Sequence, residues 1–230
     1  MTAESSQLHT WSHFQNRAPE VFRANHPRLD FLLRAAGRLA KRPDRSLLNV
    51  GVGDGYLERR ASELGWHVHS LDPDPVATAR LRQQGIEAET GSIEAVPFPD
   101  GQFDVVVTSE ILEHLTPEQR RKGLGEIERT LKRGGHLIGS VPYCEDLQMN
   151  TDVCPQCRHV FHRWGHTTAF NLEDIRMLVA AHLTVVSCRR TAFVEFKGRG
   201  LRRKFESLAR LAAAKLGLGS VSIFFVGKKR

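Results

Sequence analysis

Hydrophobic positions along the chain change period several times. From Arg28 to Lys41 the apolar residues Leu29, Leu32, Leu33, Ala36, Leu39 and Ala40 recur at helical spacing and stop before Pro43. Ser46 to Val50 is a short unbroken apolar run, the pattern of a strand covered on both faces, and it opens onto Gly51, Gly53 and Gly55. Helix formers resume at Tyr56 and continue to Leu64, where Gly65 stops them. The alternation then repeats, with strands expected at 67–71, 86–90, 103–108 and 136–141, helices at 75–84 and 117–132, and a turn at Gly134-Gly135. Strands alternating with helices predict an α/β fold, a doubly wound parallel sheet covered on both faces.

Between Pro142 and Thr168 the periodicity lapses into Cys, His, Asn and aromatic residues, a stretch too long for a plain connector and therefore a candidate functional insertion. Beyond it the pattern predicts a helix at 172–181, a strand at 183–196, a helix at 201–216 and a last strand at 220–226. The 201–216 helix is expected to place Leu201, Phe205, Leu208 and Leu211 on the domain and Arg202, Arg203, Lys204, Arg210 and Lys215 on the other side.

At 230 residues with 40% hydrophobic composition, the chain is long enough for one core, which excludes a disulfide-stapled miniprotein. The net charge of +7 is concentrated at the end: Ser187 to Arg230 holds 12 Lys+Arg against 2 Asp+Glu, so an anionic or phosphate-bearing partner would be drawn there unless the charge is simply a solvated face. No apolar run is long enough for a membrane span, and the first residues lack a secretory pattern, so a cytoplasmic protein is expected. Four cysteines in a reducing compartment are expected as thiols or metal ligands, with Cys188 a buried small hydrophobe.

In an open parallel sheet a ligand sits at the C-terminal strand ends, and the first strand-to-helix turn must admit it close to the backbone. Gly51, Gly53 and Gly55 suit that turn, and a side chain at Gly53 is expected to obstruct it. Asp72, at the end of the second strand, is placed to accept both hydroxyl hydrogens of a ribose. The spacing G-x-G-x-G differs from the dinucleotide pattern, and Asp54 in the loop would repel a pyrophosphate, which disfavours NAD and FAD.

Four ordered segments, LLNVGVGDG (47–55), HSLDPDP (69–75), GSIEAVPFPDGQFDVVV (91–107) and SEILEHL with LKRGGHLIGSVP (109–115, 131–142), resemble the class I S-adenosylmethionine-dependent methyltransferases. The resemblance implies a Rossmann-like, mostly parallel seven-stranded sheet with an antiparallel last strand. It implies one methyltransferase domain over 1–230, with a helical cap (1–45), the Cys/His insertion (142–168) and a basic helix plus last strand (197–230). It further implies that Gly51, Gly53 and Gly55 wrap the methionine part of S-adenosylmethionine, that Asp72 holds the ribose and that Ser92 and Ile93 border the adenine. Asn49 replaces the usual acid and Ser92 a frequent aspartate; both keep hydrogen-bonding capacity toward the ligand or loop.

Cys154-Pro-Gln-Cys157, with Cys144 upstream and His159, His162 and His166 after it, has the spacing of a structural zinc site, in which Cys154 and Cys157 join two of Cys144, His159 and His162; a redox pair is the alternative. Glu110, Glu113 and His114 form an E-x-x-E-H after the fourth strand, where a methyl acceptor should sit, with packing or substrate contact as its plain role. The run VPYCEDLQMN and then FHRWGH resembles the small-RNA 3′-end 2′-O-methyltransferases. That resemblance implies a Mg²⁺ or Mn²⁺ ion held by Glu110, Glu113, His114 and His166. The CPxC…FHRW loop is also similar to bacterial methyltransferases that accompany glycan synthesis. The expected activity is O-methylation of a sugar or other small polyol-like acceptor, with His114 as base or metal ligand. RNA 2′-O-methylation and a non-catalytic cofactor-binding scaffold are the alternatives.

Overall fold

A computed structural model of the chain describes residues 3–194, 201–216 and 221–230, leaving aside the side chains of 3–8, 201–205 and 215. Helix α1 (Ala3–Arg17) is followed by a 3-10 turn (Pro19–Asn25) and α2 (His26–Leu39). The alternating part consists of β1 (Ser46–Val50), α3 (Tyr56–Glu63), β2 (His67–Asp72), α4 (Pro75–Gln83), β3 (Glu87–Thr90), β4 (Phe103–Ser109), α5 (Pro117–Thr130) and β5 (Leu131–Pro142). The insertion holds β6 (Thr151–Val153) and β7 (Val160–His162), and α6 (Leu172–Ala180), β8 (Thr184–Thr191), α7 (Leu201–Lys215) and β9 (Ser222–Lys228) complete the fold.

Seven strands form one sheet in the order β3-β2-β1-β4-β5-β9-β8. The β1–β2, β1–β4, β2–β3 and β4–β5 pairs are parallel, while β9 runs antiparallel to both β5 and β8. The sheet is therefore mostly parallel with an antiparallel last strand, as expected. Order reverses between β1 and β4, which opens a crevice at their C-terminal ends. One face of the sheet is covered by an apolar cluster containing Leu32, Leu33, Leu57 and Leu81 from α2, α3 and α4. The other carries Leu124, Ile127, Ile175 and Val179 from α5 and α6.

Three expectations are corrected. Gly134-Gly135 does not end a helix-to-strand turn; it lies inside β5, where a register shift opposite Phe103 and Val105 absorbs it as a bulge, with Gly134 at φ 76°. The insertion is not all loop, because 151–153 and 160–162 pair as an antiparallel hairpin. On α7, Leu208 is exposed while Ser207 and Ala214 are buried, because 207, 211 and 214 share a helical face and 208 is turned off it. The other expectations for that helix, at Leu201, Arg202, Arg203, Lys204, Phe205 and Lys215, fall on side chains outside those described. Cys188 is half-buried and points its thiol at the Leu172 carbonyl. No helix among the described residues is long and apolar enough to cross a membrane.

The β5–β9 contact beside the crevice leaves no room for a side chain at Gly139, where a Cβ would collide with the Phe225 ring and Thr108 Oγ1. Gly139→Ala is expected to destabilise by roughly 1–3 kcal/mol through overpacking. A melting temperature about 2–4 °C lower per kcal/mol checks it.

Candidate active site

The crevice is a cavity of about 390 Å³ that runs from the β1 turn to the end of β4. Asn49, Gly51, Gly53, Asp72, Ser92 and Ile93 line one part of it, and Glu110 and His114 the other. Of the expected cofactor residues only Gly55 is set back from this wall. Gly51, Gly53 and Gly55 have φ of 88°, 58° and 76°, a left-handed course that side chains resist. The tightest of these positions is Gly51, where a Cβ would lie 2.5 Å from Ile111 Cδ1; at Gly53 the nearest atom, Phe22 Cδ1, is 3.3 Å away.

Asn49 reaches the loop, one of the two roles expected of it. Its amide donates to the Gly51 carbonyl at 2.8 Å and to Glu58 Oε1 at 2.7 Å, so it braces the turn from below. Glu58 on α3 is fully buried, takes a second hydrogen bond from Ser70 Oγ at 2.9 Å and has no partner at Oε2. Burial pushes its carboxyl up to about 7, while the bonds from Asn49 and Ser70 pull it back. The buried acid thus sits on the helix rather than at the end of β1.

Asp72 is nearly fully buried. Its Oδ2 accepts from Val52 N at 2.7 Å and Gln15 Nε2 at 3.0 Å, and its Oδ1 accepts from Asp74 N at 2.8 Å. A ribose reaching Asp72 competes with Gln15, a residue of α1 that carried no sequence signal. Two further bonds tie α1 down: Asn16 Nδ2 to Asp74 Oδ2 at 2.7 Å and Arg80 Nη1 to the Gln15 carbonyl at 2.8 Å. Trp11 of the same helix stands edge-on to His114, with ring centroids 5.0 Å apart. Asp54 lines the cavity as well, with its carboxylate 2.8 Å from His26 Nε2 and accepting from Tyr56 N at 3.0 Å.

At the other end, β4 runs into a 3-10 turn (Leu112–His114). Glu110 precedes it at φ 56°, a left-handed conformation unusual for a residue with a Cβ. Its carboxylate accepts from Ser140 Oγ at 2.9 Å and lies 3.4 Å from Arg28 Nη1. Glu113 is fully buried, and neither of its carboxylate oxygens has a hydrogen-bond partner. Burial, and then the charges of Glu110 and Glu145, raise its carboxyl well above the ordinary range. His114 Nδ1 faces the Gly165 carbonyl at 3.2 Å, and burial followed by the nearby imidazoles of His166 and His162 pushes its ring down to about 3.

Ligand atoms of Glu113, His114 and His166 lie within 4.8 Å of one another, as do those of Glu145, His162 and His166. His166 Nε2 is 4.0 Å from Glu113 Oε1, within the span of two atoms that each sit roughly 2.0–2.2 Å from one ion, so the residues fit a cation. Sequence reasoning brought Glu113, His114 and His166 to this place but missed Glu145, whose only signal was its position in VPYCED. Glu110 stays with Arg28 and Ser140. Cys154 and Cys157 form the tip of the β6–β7 hairpin, where the backbone N–H groups of Cys157 and Gln156 pull the Cys154 thiol below its ordinary value. His162 turns to Glu145, and Cys144 and His159 are exposed, so none of the three completes a metal-ligand group with the knuckle among the described residues.

The buried Glu58 makes stability pH-dependent. Its native carboxyl, near 7, holds a proton that the unfolded side chain, near 4.5, releases, so its contribution is present below about pH 4.5 and is lost as pH rises through 7. Urea unfolding of parent and Glu58→Gln at pH 4.5 and 8 should show the parent losing stability relative to the variant by about 3 kcal/mol over that interval.

Residues 48–139 match the family described as methyltransferase domain. An uncharacterized methyltransferase of Anoxybacillus flavithermus is 25% identical over 149 residues, covering 54% of this chain and 70% of that protein. Malonyl-[acyl-carrier protein] O-methyltransferase of Serratia marcescens is 32% identical over 132 residues, covering 55% of this chain; the chain spans about half of that relative, 51%. The structure of 1,6-didemethyltoxoflavin-N1-methyltransferase from Burkholderia thailandensis, with bound 1,6-didemethyltoxoflavin and S-adenosylhomocysteine, superposes with a TM-score of 0.70 over 98% of this chain and 88% of that one. Its 16% identity speaks for the fold alone. With the glycine turn, the Asp72 carboxylate and the strand order in place, residues 48–139 form a methyltransferase domain, and the chain is similar in sequence and fold to the class I S-adenosylmethionine-dependent methyltransferases.

Proposed function

We propose that the protein transfers a methyl group from S-adenosylmethionine to a hydroxyl oxygen of a small sugar or polyol-like acceptor, held at Glu113, His114 and His166 with a divalent cation. The observation that carries this reading is the Glu113 carboxylate, buried with both oxygens unpartnered and facing two imidazoles. A buried anion without hydrogen bonds is costly, and a cation offsets that cost directly. Such an ion, when bound, lowers the pKa of a hydroxyl and orients its oxygen toward the methyl group. Two imidazoles with one carboxylate favour Mn²⁺ or another transition metal over Mg²⁺.

The chain's own residues supply the rest. Asp72 and the glycine turn hold the cofactor, and Glu110 with Arg28 supplies paired charge beside the acceptor. His114, kept neutral by burial, offers a ring nitrogen rather than a positive charge. Holding the acceptor oxygen close to the sulfonium methyl is most of the catalytic task in an in-line displacement. Trp11 against His114 narrows the acceptor end, which favours a small acceptor over an RNA 3′ end. The relatives act on varied acceptors, so acceptor identity is the point to be tested.

Transfer of labelled methyl from S-adenosylmethionine is expected with sugar and polyol pools and not with short RNA. It should stop with EDTA and return with Mn²⁺, and Glu113→Gln should lower turnover at least about 10²-fold while calorimetric cofactor binding is kept. EDTA-insensitive transfer that falls about 10²- to 10⁴-fold in His114→Ala would instead mark a metal-free general base.

Binding at the other end has its own check. Asp72→Ala is expected to weaken S-adenosylmethionine by on the order of 1.5–3 kcal/mol in calorimetry, the worth of a charge-assisted bond, and NAD should not bind to the parent.

A further inference from the structure

Each imidazole of the candidate cation site can present either ring nitrogen, and the hydrogen bonds around the insertion select between them. His166 Nδ1 lies against Glu145 Oε2. A carboxylate only accepts, so a neutral His166 carries its proton on Nδ1 and keeps the lone pair on Nε2. That Nε2 is the atom facing Glu113 Oε1. His114 follows the same rule, with Nδ1 directed at the Gly165 carbonyl.

Glu145 is itself held by the insertion. Its Oε1 accepts from Asn150 Nδ2 at 2.9 Å and faces His162 Nε2 at 3.5 Å, which leaves Oε2 for His166. His162 Nδ1 accepts from the His166 backbone N–H at 3.1 Å, so its own proton sits on Nε2, toward Glu145. Its side chain is only 8% exposed, and His166 stacks on it with ring centroids 4.7 Å apart. The hairpin carries this arrangement: Arg163 N donates to the Asn150 carbonyl at 2.7 Å and the Arg163 side chain pairs with Asp152 at 2.8 Å. His162 Nε2 stands 3.5 Å from Glu145 Oε1 without a hydrogen bond between them, so it contacts Glu145 while Asn150 supplies the bond.

We propose that Glu145 is a positioning residue that fixes the tautomer of His166, turning an unprotonated Nε2 toward Glu113 and His114, and that Asn150 of the Cys/His insertion holds Glu145 for that role. Its consequence for metal binding rests on the cation reading above; the tautomer itself does not. A carboxylate behind a ligating imidazole both orients the ring and raises its basicity. The insertion thereby both supplies His166 and, through the hydrogen bond of Glu145, sets which ring nitrogen faces Glu113.

The test uses the full chain, ¹⁵N-labelled and free of metal. Long-range ¹H–¹⁵N spectra of the parent should show His166 protonated at Nδ1. In Glu145→Gln the side-chain amide can donate to Nδ1, and the ring is expected to switch to the Nε2-protonated form. Mn²⁺ affinity, read by electron paramagnetic resonance of the free ion, should fall about 10- to 100-fold, with cofactor binding unchanged. Asn150→Ala, which removes one bond to Glu145, should cost about 5-fold in Mn²⁺ affinity and serves if Glu145→Gln fails to fold. A parent His166 protonated at Nε2, or variants with unaltered tautomer or unaltered Mn²⁺ affinity, would overturn the proposal. Failure of the parent to bind Mn²⁺, with the tautomer switch intact, would overturn the cation reading and leave control of the ring by Glu145 standing.

Discussion

A carboxylate sealed from water with no hydrogen bond to either oxygen is the constraint around which the β4 end of the cavity is arranged. Glu113 occupies that position because β4 delivers the chain to a 3-10 turn through the left-handed Glu110. The backbone of the same residue anchors the end of the insertion: its carbonyl accepts from Thr167 N at 2.9 Å, Thr167 Oγ1 at 3.1 Å and Thr168 N at 3.3 Å. The side chain and the carbonyl of one residue therefore join the sheet, the turn and the segment that brings in His166. Burial, with the charges of Glu110 and Glu145 beside it, pushes the Glu113 carboxyl upward, the direction expected of an acid with no donor to stabilise its charged form.

The cofactor end solves its electrostatics differently. Asp72 is also buried, but three donors satisfy it, and Glu58 beneath the glycine turn is satisfied on one oxygen by two. Asn49 is the amide that connects Glu58 to the turn. Moving the acid from β1 to α3 keeps a carboxyl under the loop while leaving an amide to brace Gly51.

How much of this was legible in the sequence follows from the range of the interactions. Parallel strands buried on both faces read as apolar runs, so Ser46–Val50 and Phe103–Thr108 were visible at once, and the glycine turn was visible because a left-handed course selects glycine. Glu113, His114 and His166 could be grouped only through resemblance, since 52 residues separate His114 from His166. Glu145 was overlooked because an acid in a polar loop is ordinarily solvated, and only the fold places it against a histidine. Gly134-Gly135 read as a turn because a bulge and a turn ask the same backbone freedom of glycine. The tip of the insertion read as a zinc knuckle, yet His162 was drawn instead to the acid that shares its loop.

Helix α1 had the weakest pattern of all and touches both ends of the cavity. Trp11 and Gln15 are four residues apart, which puts them on one helical face. Gln15 bonds Asp72 Oδ2, and Trp11 packs edge-on to the His114 ring. Gln15 and Trp11 thus tie the two ends of the cavity to one helix. Among the described residues of α1 no apolar side chain is fully buried; the ring contacts of Trp11 and Phe14 with Phe22 and Trp164 join the polar bonds of Asn16 and Arg80 in holding the helix. A helix attached by hydrogen bonds, each worth roughly 0.5–1.5 kcal/mol, and by partly buried rings can yield at a lower cost than opening a packed core demands.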